Sequence, residues 1–115
     1  MTNLAPKFSR LVLAASLLVG TTAMAQQALS ADDYATGRNK IKAEYSADKK
    51  ACAALAHNAK DICMAQANGR EDVAKAELDD RFKPSLKTQY KVQEARAEAT
   101  YEVAKEQCDD LAGNP

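Results

Sequence analysis

The sequence predicts an all-α protein of three long helices, and three observations predict it. Beyond residue 25, Ala supplies 19 of 90 residues while Leu, Ile, Val and Phe together supply 11, and Ala, Lys, Glu, Gln and Arg are strong helix formers. Apolar and tyrosine positions recur at alternating spacings of four and three, the period of a helix facing a partner helix. Two short breaks, at His57-Asn58 and Pro84-Ser85, divide the rest into helix-sized pieces.

Residues 1–25 read as a secretory signal peptide. Lys7 and Arg10 form a basic n-region, Leu11 to Gly20 an uncharged apolar h-region, and Ala23-Met24-Ala25 a small-x-small cleavage site. The competing reading is an uncleaved anchor, since no charge falls between Arg10 and Asp32. The strongly apolar part is only about half the roughly 20 residues that a membrane helix needs, so cleavage is the expectation. No cysteine follows the h-region closely, which argues against a lipoprotein. The remainder, 26–115, is expected as one helical domain in an oxidising compartment, most simply a bacterial periplasm, with no stable membrane insertion after cleavage.

The elements follow from local chemistry. Ser30, with Asp33 three residues on, caps a first helix from about Ala31 to Ala56. Asn58 is expected to cap the second, with Asp61 placed to favour its N-terminus, and that helix continues through Ile62, Cys63, Ala67, Val73, Ala74 and Leu78 to about Phe82. Gly69 weakens its middle by roughly 1 kcal/mol relative to Ala. Pro84 stops it, Ser85 caps a third helix, and that one runs to about Ala112 before Gly113.

An internal duplication is written over the first and third helices. A shift of 56 lays residues 34–58 on 90–114 and pairs Tyr34 with Tyr90, Tyr45 with Tyr101, Cys52 with Cys108 and Asn58 with Asn114, among 8 identities in 25 positions. Shared helical composition is the alternative, but it inflates Ala and Lys matches more than tyrosine and cysteine ones. Each unit carries a seam: Tyr34, Arg38, Ile41, Tyr45, Asp48, Cys52 and Leu55 in the first, Tyr90, Glu94, Ala97, Tyr101, Ala104, Cys108 and Leu111 in the second. The second unit stops short of a turn and a return helix, so its seam is expected to lack its partner.

Cys52 and Cys63 lie equally far from the His57-Asn58 turn, so an antiparallel hairpin brings them to one height and a disulfide is expected. The alternative, two reduced thiols facing apart, is disfavoured by an oxidising compartment. Cys108 is then the odd thiol, either free or paired between chains. A homodimer linked through Cys108 is the expectation if its unfilled stripe seeks the same stripe on another copy.

Few chemistries remain. No nucleophile elbow, phosphate loop, His-Glu metal motif or Cys-x-x-Cys occurs, so no catalytic residue and no cofactor is expected and the chain reads as a non-enzyme. A Cys3His zinc site from Cys52, His57, Cys63 and Cys108 has an unsuitable spacing, and His57 is accounted for by a helix C-terminus. The pairs Asp32-Asp33, Asp79-Asp80 and Asp109-Asp110 read as solvated helix ends, and the row Glu94, Glu98, Glu102, Glu106 as a solvated face. With 14 basic against 16 acidic residues beyond the leader, there is no footprint for nucleic acid.

The run Lys49-Lys50-Ala51-Cys52, with Leu55-Ala56 and Asn58-Ala59-Lys60-Asp61-Ile62-Cys63, resembles a group of small exported proteobacterial proteins rich in Ala and Lys. The resemblance covers about residues 40–114 and implies tandem cysteine hairpins, a cell-envelope or Tol-system association and no known catalytic residue. The absence of a cysteine after Asn114 departs from that pattern. The expected function is therefore contact with a protein whose identity the sequence does not give, in an envelope-associated or stress-related role. The competing class is a periplasmic thiol- or metal-binding protein using Cys108 with or without His57.

The leader makes one direct prediction: N-terminal sequencing of the exported protein returns Gln26 as its first residue. Membrane-bound material beginning at Met1 would establish the anchor instead.

Overall fold

A computed structural model describes residues 28–112; the segment read above as a leader with its cleavage site, and the end of the expected second repeat unit beyond Ala112, lie outside the described residues. Three helices follow in order: α1, Ala31–Ala53; α2, His57–Phe82; and α3, Leu86–Leu111. Among the described residues there is no strand, and no helix is long and apolar enough to cross a membrane.

The expected caps at Ser30 and Ser85 are in place. Ser30 Oγ accepts from Asp33 N at 3.1 Å, and Ser85 Oγ accepts from Thr88 N at 3.1 Å while Thr88 Oγ1 accepts from Ser85 N at 2.9 Å. The second pair is a reciprocal capping box that fixes the start of α3 directly after Pro84. Thr88 also donates to Asp80 Oδ1 at 2.6 Å, which ties this box to the last turn of α2.

The first turn differs from expectation. α1 stops at Ala53 rather than Ala56, because the amides of Ala54 and Leu55 donate three residues back, to Ala51 and Cys52, and tighten the end. Ala56 is extended and His57, at φ 54°, occupies the left-handed region, so the chain reverses within three residues. Asn58 is therefore not the cap: α2 begins one residue before it, Ala56 occupies the cap position without a side-chain bond, and Asn58 Nδ2 reaches across to Asp110 Oδ1 at 3.0 Å. Asp61 correspondingly falls beyond the first turn of α2, and His57 opens that helix rather than closing α1.

α2 is shared by both neighbours on roughly opposite faces. Toward α1 it turns Cys63 and Leu78, which meet Cys52 and Gly37, while Ala67 and Ala74 share a groove with Ile41 and Tyr45. Toward α3 it turns Gly69, Glu77 and Asp80, which meet Ala99, Arg96 and Thr88. Ala67 and Gly69 are separated by about 200° around a helix at 3.6 residues per turn, so the two contacts do not converge. No close backbone approach joins α1 to α3. The three helices lie side by side as a flat array, and among the described residues the buried apolar side chains are those of Cys52, Ala67, Leu78 and Val92.

The expected disulfide joins Cys52 to Cys63, with their Cα atoms 5.5 Å apart, and Cys52 is fully buried. Above it, Tyr45 donates to Asn68 Oδ1 at 2.8 Å and Tyr34 donates to Asp79 Oδ1 at 2.6 Å, while the Tyr34 ring stacks on Phe82 at 4.4 Å. The hydrogen bond to Asp79, then partial desolvation and the carboxylate charge, hold the Tyr34 phenol above its ordinary value of 10.0. Since the folded value is the higher one, this tie is intact below pH 10 and is lost as alkali ionises the phenol above its raised value.

Contact between α2 and α3 depends on a missing side chain. A Cβ at Gly69 would sit 2.7 Å from Ala99 Cβ and 3.2 Å from its Cα, so the helices would have to separate. At Gly37 a Cβ would meet only the flexible end of Leu78, at 2.8 Å. Ala raises helix propensity by about 1 kcal/mol at either site, whereas overpacking against backbone costs about 1 to 3 kcal/mol. Urea unfolding should therefore show Gly69→Ala destabilised by roughly 1 kcal/mol and Gly37→Ala near wild type; equal responses would contradict this packing.

The staple predicts a larger effect. Closing a loop of sequence separation 11 in the unfolded chain stabilises the fold by roughly 2 to 3 kcal/mol. Reduction or Cys63→Ser should lower unfolding free energy by that amount, with helical circular dichroism persisting at low temperature. A midpoint indifferent to reductant would contradict it.

Candidate interaction surface

The face α3 applies to α2 is made of small and short-branched residues, with a glutamate at its C-terminal end. Thr88, Val92, Ala95, Ala99, Val103 and Glu106 are the half-buried or buried positions, spaced four, three, four, four and three. This leaves the other stripe of α3 on the far side: Tyr90, Ala97, Tyr101, Ala104, Cys108 and Leu111 are all exposed, and Glu94 is half-buried at the stripe's edge. Tyr90 and Tyr101 are each 65% exposed and Leu111 86%, and their four-three spacing puts them on one side of α3.

Comparison with α1 sharpens the point. The matching positions Tyr34, Ile41, Tyr45 and Cys52 are all withdrawn from solvent against α2, and Gly37, not Arg38, fills the place between the first two. Leu55 has left the seam and is 44% exposed, because α1 ends before reaching it. In α1 the seam phenols find an amide and a carboxylate and the seam cysteine finds Cys63. In α3 the same residue types present that chemistry to solvent.

Two grooves flank the Gly69–Ala99 contact. One is acidic, lined by Asp61, Asp72, Glu98, Glu102 and Glu106 beside Met64 and Tyr101. The other is more apolar, with Val73, Ala74, Val103 and Ala104 along it and Arg96 bonded to Glu77 at 2.7 Å at one end. Neither places a nucleophile beside a base. Among the described residues no group of three His, Cys, Asp or Glu side chains is placed to hold a metal ion, and the Cys52–Cys63 bond withdraws two thiols from the Cys3His combination. Cys108 is exposed and unbonded, and His57 is exposed at the start of α2.

Sequence reasoning missed the partner face of α3. Its signal is the small residue Ala99, which stands opposite Gly69, with the half-buried Ala95 one turn before it. Comparisons with protein-family models, with curated proteins and with solved structures find no match to this chain.

Proposed function

We propose that this chain is a non-enzymatic helical protein, exported through its leader, that works by protein contact in an envelope-associated or stress-related role. The observation that carries the reading is the uncovered stripe of α3, whose tyrosines, alanines and leucine form an apolar face directly opposite the face used to hold the fold together. Tyrosine-rich faces supply large contact area at small entropic cost and are enriched where proteins meet. The leader and the resemblance to small exported Ala- and Lys-rich proteins support the compartment.

A second reading, a thiol- or metal-binding protein, is favoured by one feature, the exposed thiol of Cys108. Intact mass and thiol counting with and without chelator separate the two: one free thiol and no metal accord with contact, and bound metal with chelator-released thiols accords with the second.

The contact reading predicts where cross-links form. A photoreactive residue in place of Ala104, on the stripe, should give protein adducts in cells several-fold above the same residue at Ala43, an exposed position on α1, and Tyr101→Glu should remove the excess. Equal adduct yields at the two positions would reject the reading.

A further inference from the structure

We infer that the uncovered face of α3 binds the same face of a second copy, antiparallel, about a two-fold axis passing between Glu102 and Val103. The inference rests on the contact reading above and names its partner.

The pattern on α1 shows what this kind of stripe engages. Tyrosines and a cysteine at the same spacing there lie against an antiparallel helix, α2. On α3 the spacing of four and three runs from Tyr90 to Leu111 with Glu94, paired with Lys91, as its one polar position, and it is apolar or aromatic from Ala97 onward. α2 occupies the opposite side of α3, so among the described residues nothing obstructs a helix arriving at the stripe.

Size and charge choose the register. With the axis between Glu102 and Val103, each Tyr101 lies over Ala104 of the second copy, and each Cys108 over Ala97, so large and small residues alternate. At the flank, Glu98 of each copy stands beside Lys105 of the other, and both side chains are exposed. Sliding one copy by a heptad in either direction sets Glu98 on Glu98 or Lys105 on Lys105. A parallel pair sets Glu94 on Glu94 and Tyr101 on Tyr101. Only the first arrangement opposes unlike charges and unlike sizes at once. Its layers are thin and alanine-rich, so the association is reversible and concentration-dependent, at the small end of specific interfaces.

This register revises the expectation of a covalent link. The two copies of Cys108 stand 11 residues apart along the pair, about 16 Å at 1.5 Å per residue, well outside the Cα separation a disulfide spans. Cys108 stays a thiol facing Ala97.

Sedimentation of the intact exported protein from micromolar to millimolar concentration tests the inference. A monomer–dimer equilibrium is expected. Glu98→Lys or Lys105→Glu alone should weaken it at least tenfold, and the double variant E98K/K105E should return it to within a few-fold of wild type. A97C should form an intermolecular bond to Cys108 on oxidation, abolished by C108S. A wild-type monomer at millimolar concentration, a double variant no better than the singles, or a Cys108–Cys108 linked dimer of the wild type would each overturn it. A monomer whose in-cell cross-links still depend on Tyr101 would overturn the dimer and leave the contact reading standing; loss of that dependence would remove both.

Discussion

Everything in this fold depends on α2 being held from two sides at once by helices that never meet each other. A three-helix bundle gathers its apolar stripes around one axis and buries them together. Here Ala67 and Gly69, two residues apart, serve contacts on opposite faces, so each interface is only one residue deep. Small side chains make that workable. Where Gly69 meets Ala99 the backbones come close enough for dispersion contacts that larger residues would prevent, and the thinness of the contact is the cost.

Four buried apolar positions would not ordinarily hold 85 described residues, and the structure offsets this covalently and at the helix ends. The Cys52–Cys63 bond closes one end of the α1–α2 pair, while Tyr34, stacked on Phe82 and bonded to Asp79, closes the other. The Ser85–Thr88 box, with Asp80, closes the α2–α3 turn. Cross-helix ion pairs, Arg70 to Asp48 at 2.9 Å and Arg96 to Glu77 at 2.7 Å, lie at the surface, where such pairs contribute between nothing and about 1 kcal/mol. They orient the array more than they stabilise it.

Much of this was legible in the sequence because it is local. Ser30, Ser85 and Pro84 mark helix ends through chemistry confined to a few residues, and the symmetric distance of Cys52 and Cys63 from a turn is a length argument that tolerates the one-residue error made at Asn58. The α1 seam was legible as periodicity, although Gly37 rather than Arg38 lies in it, because a glycine carries no hydrophobic signal. The contact between α2 and α3 was not legible. It is built from Ala95, Ala99 and Gly69, whose role is to be absent, and hydropathy cannot separate an alanine that packs from one that faces water. The candidate surface followed from spacing: Tyr90, Tyr101 and Cys108 recur at the intervals of Tyr34, Tyr45 and Cys52, and among the described residues no helix covers them as α2 covers those of α1.

The flat array also explains how a stripe on α3 stays available. In a bundle, α1 would lie against α3 and compete for its surface; with α1 beyond α2, no other described helix packs on the far side of α3. The claim is directly measurable by pulsed dipolar spectroscopy between spin labels on α1 and α3, in a Cys108→Ser background that keeps the Cys52–Cys63 bond. With α2 between them at packing distances of about 8 to 10 Å per interface, label pairs at matched heights should report helix axes about 16 to 20 Å apart. Axes about 8 to 10 Å apart, as neighbours in a closed bundle would be, would contradict the account.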